Sequence, residues 1–282
     1  MTAWRFIDSN APARGAWNMA VDEVLFRGAE EERAGGPVLR LYAWEPACLS
    51  IGYHQDMSKA CDAAYCESRG YDVVRRPTGG KAVLHADEVT YSVTAPFDAP
   101  PFAGLGLVET YGLIADALAS GLEILGLDVS LNQRPLRSSP KVTAPCFVAP
   151  SEKEILVGGR KVVGSAQRRG ERAFLQHGAV PLTINYEELG RATGQAVFDP
   201  EAYRSAFAGL GDFEPGLTAE AVRAALRRGF EEVFEGPWSE AGLTAQETGE
   251  ARRLVDERYG TKAWNFKRGR ADGSRLHVGS AG

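Results

Sequence analysis

Downstream of Gly15 the apolar residues Ala16, Trp17, Ala20, Val21, Val24 and Leu25 recur at helical spacing, and Gly35-Gly36-Pro37 closes the segment, so a first helix is predicted there. Short apolar runs follow at Val38 to Tyr42 and Ala47 to Gly52. The intervening Trp44-Glu45-Pro46 suits a turn, and the two runs read as a strand pair. A helix is expected over Ser58 to Arg69, a strand over Tyr71 to Val74, and another where Glu88 to Val93 alternates. Leu107 to Leu125 carries a long helical pattern, Leu127 to Leu131 a strand, and Asn132 to Pro145 a polar loop interrupted by proline. Glu154 to Val157, Gly158-Gly159 and Arg160 to Gln167 give a hairpin signal, because adjacent glycines suit the positive φ of both central turn residues. Phe174 to Leu182 extends the sheet, and from about Tyr186 the pattern is mostly helical, with a polar tail after Arg268.

Strands and helices are intermixed, and several strands are joined by turns too short to hold a crossover helix. The fold class is therefore α/β or α+β around a mixed β-sheet, not a doubly wound parallel one. At 282 residues the chain can bury a substantial core, in one large domain or a main domain with a small appendage.

Thirty-two basic against thirty-seven acidic residues leave a net charge of -5, which supplies no general drive toward nucleic acid or anionic membranes. The N-terminus lacks an apolar signal core and no run of about eighteen apolar residues occurs, so a cytoplasmic location is expected. Cysteines at 48, 61, 66 and 146 show neither a zinc spacing nor the density of a disulfide scaffold, and reduced thiols are expected.

Candidate chemistry concentrates in two places. In Arg75-Arg76-Pro77-Thr78-Gly79-Gly80 the two glycines let a turn lie flat against a ligand, or simply close a tight turn between strands. Their amides could cradle a phosphate, although neither the Walker A nor the dinucleotide pattern is matched. His85, a little further on, reads either as a general base or as a satisfied histidine within the sheet. The second place is Cys146, in an irregular segment between Pro145 and Pro150, and Lys161, the start of a strand of apolar or small residues. A packed thiol and a solvated lysine are the plain readings; a thiolate made reactive by a neighbouring ammonium is the functional one. Cys48 reads as core. Cys61 and Cys66, five apart on the predicted helix, do not share a face. The remaining histidines, His54, His177 and His277, form no metal-like spacing.

These segments, in order, resemble the biotin/lipoate A/B protein ligase superfamily, and within it the octanoyltransferases of the LipM type. The resemblance runs through Trp4 to Ser9, Asn18 to Glu23, Leu49 to Tyr53, Arg75 to Gly80, Leu84-His85, Thr90 to Val93, Cys146-Phe147, Gly159 to Gln167, Gln176 to Gly178 and Ala263-Trp264-Asn265. It implies a biotinyl/lipoyl ligase-type catalytic core over 1–200, a helical C-terminal part of the same domain over 201–268, and a disordered tail over 269–282. It implies a cytoplasmic enzyme that takes an octanoyl group from octanoyl-phosphopantetheine on acyl carrier protein and loads it on a lipoyl domain such as glycine cleavage H protein; apart from the resemblance, a monomer is expected. No nucleic-acid or membrane partner and no metal is expected. By the same resemblance Cys146 is the acyl-thioester nucleophile and Lys161 its supporting lysine, while Arg76, Gly79, Gly80 and His85 line the acyl and pantetheine pocket with Gly164, Ser165 and Ala166 facing it. Because exchange of one thioester for another is nearly balanced in energy, no ATP is required, and splitting the transfer in two is covalent catalysis.

Three other readings stand beside this one. An ATP-dependent lipoate–protein ligase shares the arginine-glycine loop and the strand lysine, yet has no task for Cys146. An amidotransferase moving octanoyl groups between lipoyl domains would use the same thiol. A non-catalytic protein that binds acyl carriers or lipoyl domains would keep the pocket without turnover.

Overall fold

The computed structural model describes residues 3–9, 11–33, 35–132, 153–195 and 198–266. Its main sheet has six strands. In chain order these are β1 (Trp4–Asp8), β2 (Val38–Tyr42), β6 (Glu88–Pro96), β10 (Gly164–Arg169), β11 (Ala173–Pro181) and β12 (Trp238–Glu240), arranged 10-11-6-2-1-12. The pairs of β1 with β2 and with β12 are parallel and the other three antiparallel, which makes the sheet mixed as expected. A three-stranded sheet stands beside it, with β3 (Cys48–Ile51) between β4 (Asp72–Arg75) and β5 (Val83–His85). A third holds β7 (Val129–Asn132), β8 (Glu154–Val157) and β9 (Arg160–Lys161).

Strand alternation decides what each face of the main sheet carries. Phe6, Leu39, Leu41, Val89, Tyr91 and Val93 point one way, into a core closed by the helices α4 (Leu107–Ile124) and α7 (Ala219–Val233). The residues between them, Ile7, Val38 and Tyr42, point the other way, onto the helix α1 (Gly15–Glu30). Arg40, Thr90, Ser92 and His177 share this second face by parity, and all four are buried. A charged and polar set is thus folded under α1, which answers it with Asn18, Asp22 and Glu23, likewise buried.

The predicted first helix, the strands near 88 and 174 and the helix from 107 stand where the pattern puts them. Three expectations are corrected. Val38–Tyr42 and Cys48–Ile51 do not pair: both edges of β2 are taken by β1 and β6, so β3 joins β4 and β5 instead. The helix expected over Ser58 to Arg69 is two short ones, α2 (Met57–Ala60) and α3 (Ala63–Ser68), because the extended Cys61 and Asp62 interrupt it and the Asp62 carboxylate caps the Tyr65 amide. That break brings the sulfurs of Cys61 and Cys66 to 3.9 Å, so their helical spacing does not keep them apart. The hairpin at Gly158-Gly159 forms with φ of 55° and 76°, but its return strand ends at Lys161. Val162 and Val163 then dive into the main core and carry the chain across to β10. The C-terminal region is helical apart from β12, which extends the main sheet. The tail at 269–282 lies outside the described residues.

Candidate active site

A cleft of about 450 Å³, including its open mouth, lies where the α1 face of the main sheet meets the small sheet. Met19, Tyr42, Trp44, Val83 and Ala179 make its apolar walls, and Arg76, His85, Ser50, Thr90 and His177 supply its polar groups. Gly164, Ser165 and Ala166 complete the lining from β10, where small side chains on an edge strand leave room. Of the residues expected to line a pocket, Arg76, His85 and Gly164 to Ala166 therefore meet in one cavity.

Gly79 and Gly80 are not among the described residues that line it. They build the wall behind Arg76: the Gly79 carbonyl accepts both Nε and Nη2 of that guanidinium, at 3.1 and 2.6 Å. Gly80 has φ of 88°, and its carbonyl lies where a Cβ on Gly52 would stand, so two glycines allow two backbones to touch. Arg76 also donates to the Lys81 carbonyl and to the carbonyl and hydroxyl oxygens of Ser50, which ties the loop to β3.

Arg75, one residue earlier, points away from the cleft and is held by the chain's far end. Its amide donates to Asn265 Oδ1 at 2.8 Å and its guanidinium to the carbonyls of Trp264 and Asn265, while Trp264 Nε1 donates back to the Arg75 carbonyl. The preceding helical turn, Val255–Tyr259, is pinned on α1, where Arg258 and Tyr259 both bond Glu23. The adjacent pairs Asp22-Glu23 and Arg75-Arg76 thus divide their work: one member serves the cleft, the other the C-terminal segment.

Two hydroxyl–histidine–carboxylate chains border the cleft. In the first, Thr78 Oγ1 lies 2.7 Å from His177 Nε2, and His177 Nδ1 lies 2.9 Å from Asp22 Oδ2. Asp22 also accepts from Arg40, Tyr42 and Ser92. Burial alone would push its carboxyl up, yet the bond from His177 and the Arg40 guanidinium hold it below the usual carboxylate range. Burial depresses His177, which stays neutral with its proton on Nδ1 facing the carboxylate. In the second chain Ser50 Oγ lies 2.8 Å from His85 Nε2, and His85 Nδ1 lies 2.7 Å from Glu88 Oε1. Trp44 stacks on the His85 ring at 4.1 Å and donates to Thr90, whose hydroxyl in turn donates to Glu88.

Lys161 is buried and pairs with the equally buried Glu154 at 2.6 Å, so the plain reading of a solvated turn lysine does not hold. It does not line the main cleft among the described residues. Glu154 borders a smaller space, and Ser165 borders both that space and the cleft, which sets the ion pair one residue behind the cleft wall. Cys146 lies outside the described residues. Sequence reasoning passed over Arg40, Asp22, Ser50, Thr78, Glu88 and His177 as site residues. One signal was available, since Arg40 interrupts an apolar strand just as Lys161 does.

No group of three or more residues suited to a metal ion occurs among the described residues, and none of their helices is long and apolar enough to cross a membrane.

The family model described as the lipoyl protein ligase A/B catalytic domain matches residues 14–231. Octanoyltransferase LipM of Carboxydothermus hydrogenoformans is 37% identical over 273 residues, which span 95% of this chain and 100% of that protein. Octanoyltransferase LipM of Bacillus subtilis is 34% identical over 285 residues, spanning 94% and 98%. Among solved structures, the archaeal bi-partite lipoate protein ligase of Thermoplasma acidophilum aligns with a TM-score of 0.78 at 25% identity, over 97% of this chain and 100% of that one. A lipoate-protein ligase A bound with ATP aligns with a TM-score of 0.76 at 26% identity, over 95% and 100%. With the matched domain spanning most of the sheet, the cleft and both histidine chains, the chain belongs to the lipoyl protein ligase A/B catalytic domain family.

Proposed function

We propose that this chain is an octanoyltransferase of lipoate biosynthesis. It moves an octanoyl group from octanoyl–acyl carrier protein, through a thioester on Cys146, to the lysine amine of a lipoyl-accepting protein, with glycine cleavage H protein as the acceptor. The observation that carries this reading is identity of 37% with an octanoyltransferase LipM along that protein's whole length. A cleft with apolar walls and a few convergent polar groups suits an eight-carbon chain ending in a thioester carbonyl.

In the first half-reaction the Cys146 thiolate attacks the donor thioester and the phosphopantetheine thiol leaves. Lys161 contributes positive charge near the thiolate, and its own pairing with Glu154 fixes the position of that charge. Arg76 and His85, with Gly164, Ser165 and Ala166, line the acyl site, and Gly79 and Gly80 hold Arg76 in place. In the second half-reaction the acceptor amine attacks the enzyme thioester and an amide forms.

The test is intact-protein mass spectrometry after mixing with octanoyl–acyl carrier protein, without ATP, beside Cys146→Ala. A hydroxylamine-labile octanoyl mass on the unsubstituted protein alone is the expected result. A second reading, an ATP-dependent lipoate–protein ligase, draws on the alignment with the ligase bound with ATP. Absence of an adduct on both proteins, with octanoate ligation appearing once ATP is added, would replace the transferase by that ligase.

A further inference from the structure

Two of the three described thiols, those of Cys61 and Cys66, lie 3.9 Å apart and unbridged. Local structure explains the contact. Asp62 caps α3, so Cys61 is the residue before the cap and Cys66 the fourth helical residue, two positions whose apolar side chains commonly close on each other across a helix start. Here both members carry sulfur, and what is ordinarily a packing contact becomes a chemical one. From this geometry we infer that Cys61 and Cys66 are a modification site, a dithiol that closes to a reversible disulfide when the folded protein meets a hydroperoxide. The inference is independent of the transferase function.

An S–S bond is about 2 Å long, and closing a gap of 3.9 Å is within reach of rotation about the two Cα–Cβ bonds. The bond between the sulfurs lowers Cys66 and raises Cys61, while burial opposes the first shift and adds to the second. Cys66 is therefore the thiolate, and Cys61 the thiol that keeps its proton. With hydrogen peroxide, the thiolate attacks one oxygen, the O–O bond breaks, and the leaving hydroxide takes the Cys61 proton and departs as water. Cys61, now a thiolate, attacks the sulfenic sulfur of Cys66. The S–O bond breaks, the S–S bond forms, and the second hydroxide departs with the proton that Cys66 first released. Two electrons and two protons leave the thiols, and the peroxide becomes two waters. Cys61 keeps 8% exposure against 0% for Cys66, so the oxidant enters past Cys61, between helices of only four and six residues.

Cys48, the third described thiol, supplies the contrast. It packs with Val74 beneath α1, and burial, followed by the Asp72 charge, raises it well above an ordinary thiol. Closure of the pair is felt on the small sheet. Cys61 and Cys66 pack with Leu49 and Ile51 of β3 and with Ala82, and Leu49 and Ile51 flank Ser50, which lines the cleft. The disulfide thus forms on the back of the strand whose front is cleft wall, and it closes the start of α3 covalently.

Trypsin places both cysteines on one peptide, Ala60 to Arg69, and Cys48 and Cys146 on two others, so the unsubstituted protein serves for the test. Folded protein is treated with hydrogen peroxide for a series of times, quenched with catalase, unfolded, alkylated with iodoacetamide and digested. The expected product is a 60–69 peptide that carries no alkyl group, weighs about 2 Da less than its dithiol, and takes two alkyl groups again after dithiothreitol. It should form at least about tenfold faster than Cys48 loses its alkylation, because a lowered thiol beside a resolving partner outpaces a raised one. Equal rates for the two peptides, oxygen retained on Cys66 without a bridge, or two alkyl groups on the 60–69 peptide at every time would each overturn the disulfide site. Acyl loading of Cys146 plays no part in this readout, so failure of the transferase function leaves the result untouched.

Discussion

Replacing Asp22 by Asn removes one charge from the polar layer beneath α1 and leaves its shape nearly intact. Asp22 and Arg40 are 0% and 1% exposed and 2.8 Å apart, so the guanidinium has no access to water when its counter-charge is lost. The remaining hydrogen bonds can be rearranged: the Asn oxygen can still accept from Arg40 and Ser92, and its amide can donate to Tyr42 Oη. His177 can take that amide's second proton on Nδ1 by moving its own proton to Nε2, toward Thr78. The cost is then dominated by the stranded buried cation, about 3–5 kcal/mol for breaking a pair of this kind. That is a large share of the roughly 5–15 kcal/mol that holds a folded domain together. Equilibrium urea denaturation at pH 7 measures it, with Asp22→Asn, Arg40→Met and the double variant closing a cycle. Because Arg40→Met in the Asp22→Asn background removes the stranded charge, the double variant should recover about 2 kcal/mol or more relative to Asp22→Asn alone. A single-variant loss below about 1 kcal/mol, the size of an ordinary exposed pair, would refute the claim that this ion pair is sealed from solvent.

The same groups set a pH dependence. Burial raises Asp22 and Glu23, but His177 with Arg40 and Arg258 with Arg27 more than offset it, so both carboxyls titrate lower folded than unfolded. On acidification the buried neutral His177 brings the first loss, beginning below about pH 6.5, and the stabilisation from the two carboxyls, complete above about pH 5, is lost next as pH falls through their folded values. Urea midpoints measured from pH 7 to 3 should fall in that order, and a rise on acidification would contradict the assignment. At the C-terminal clasp, Asn265→Ala strips partners from the Arg75 amide and the Tyr259 carbonyl, at about 1–3 kcal/mol for each buried group, while Trp264→Phe removes a single donor. Denaturation should rank Asn265→Ala as the costlier, and equal losses would deny that Asn265 makes two bonds. In the cleft floor, a Cβ on Gly178 would stand 2.5 Å from the Gly164 carbonyl oxygen and 2.7 Å from Ser165 Oγ. Gly178→Ala should therefore cost about 1–3 kcal/mol and raise KM for the octanoyl donor; an unchanged KM would mean the acyl chain does not pass β10.

Much of the architecture can be read from the chain because local periodicity and tertiary burial agree. One apolar stripe on α1, alternation through β6 and the glycine pair at 158 and 159 each specify their element without reference to distant residues. The arginine-glycine loop, His85 and the small residues of β10 were likewise visible, since their residue types are unusual where they stand. What the linear pattern could not supply were relations between elements. Whether β2 and β3 pair depends on which edges β1 and β6 have already taken, and Cys61 meets Cys66 only because Asp62 prefers to cap a helix than to continue one. Asp22 and His177 lie 155 residues apart and share one hydrogen bond, Arg75 and Asn265 lie 190 apart and share two, and no local propensity reports either contact. Burial then turned ordinary polar residues into a site: once α1 covers Arg40, Asp22 and His177, their unsolvated charges and donors can be satisfied only by one another.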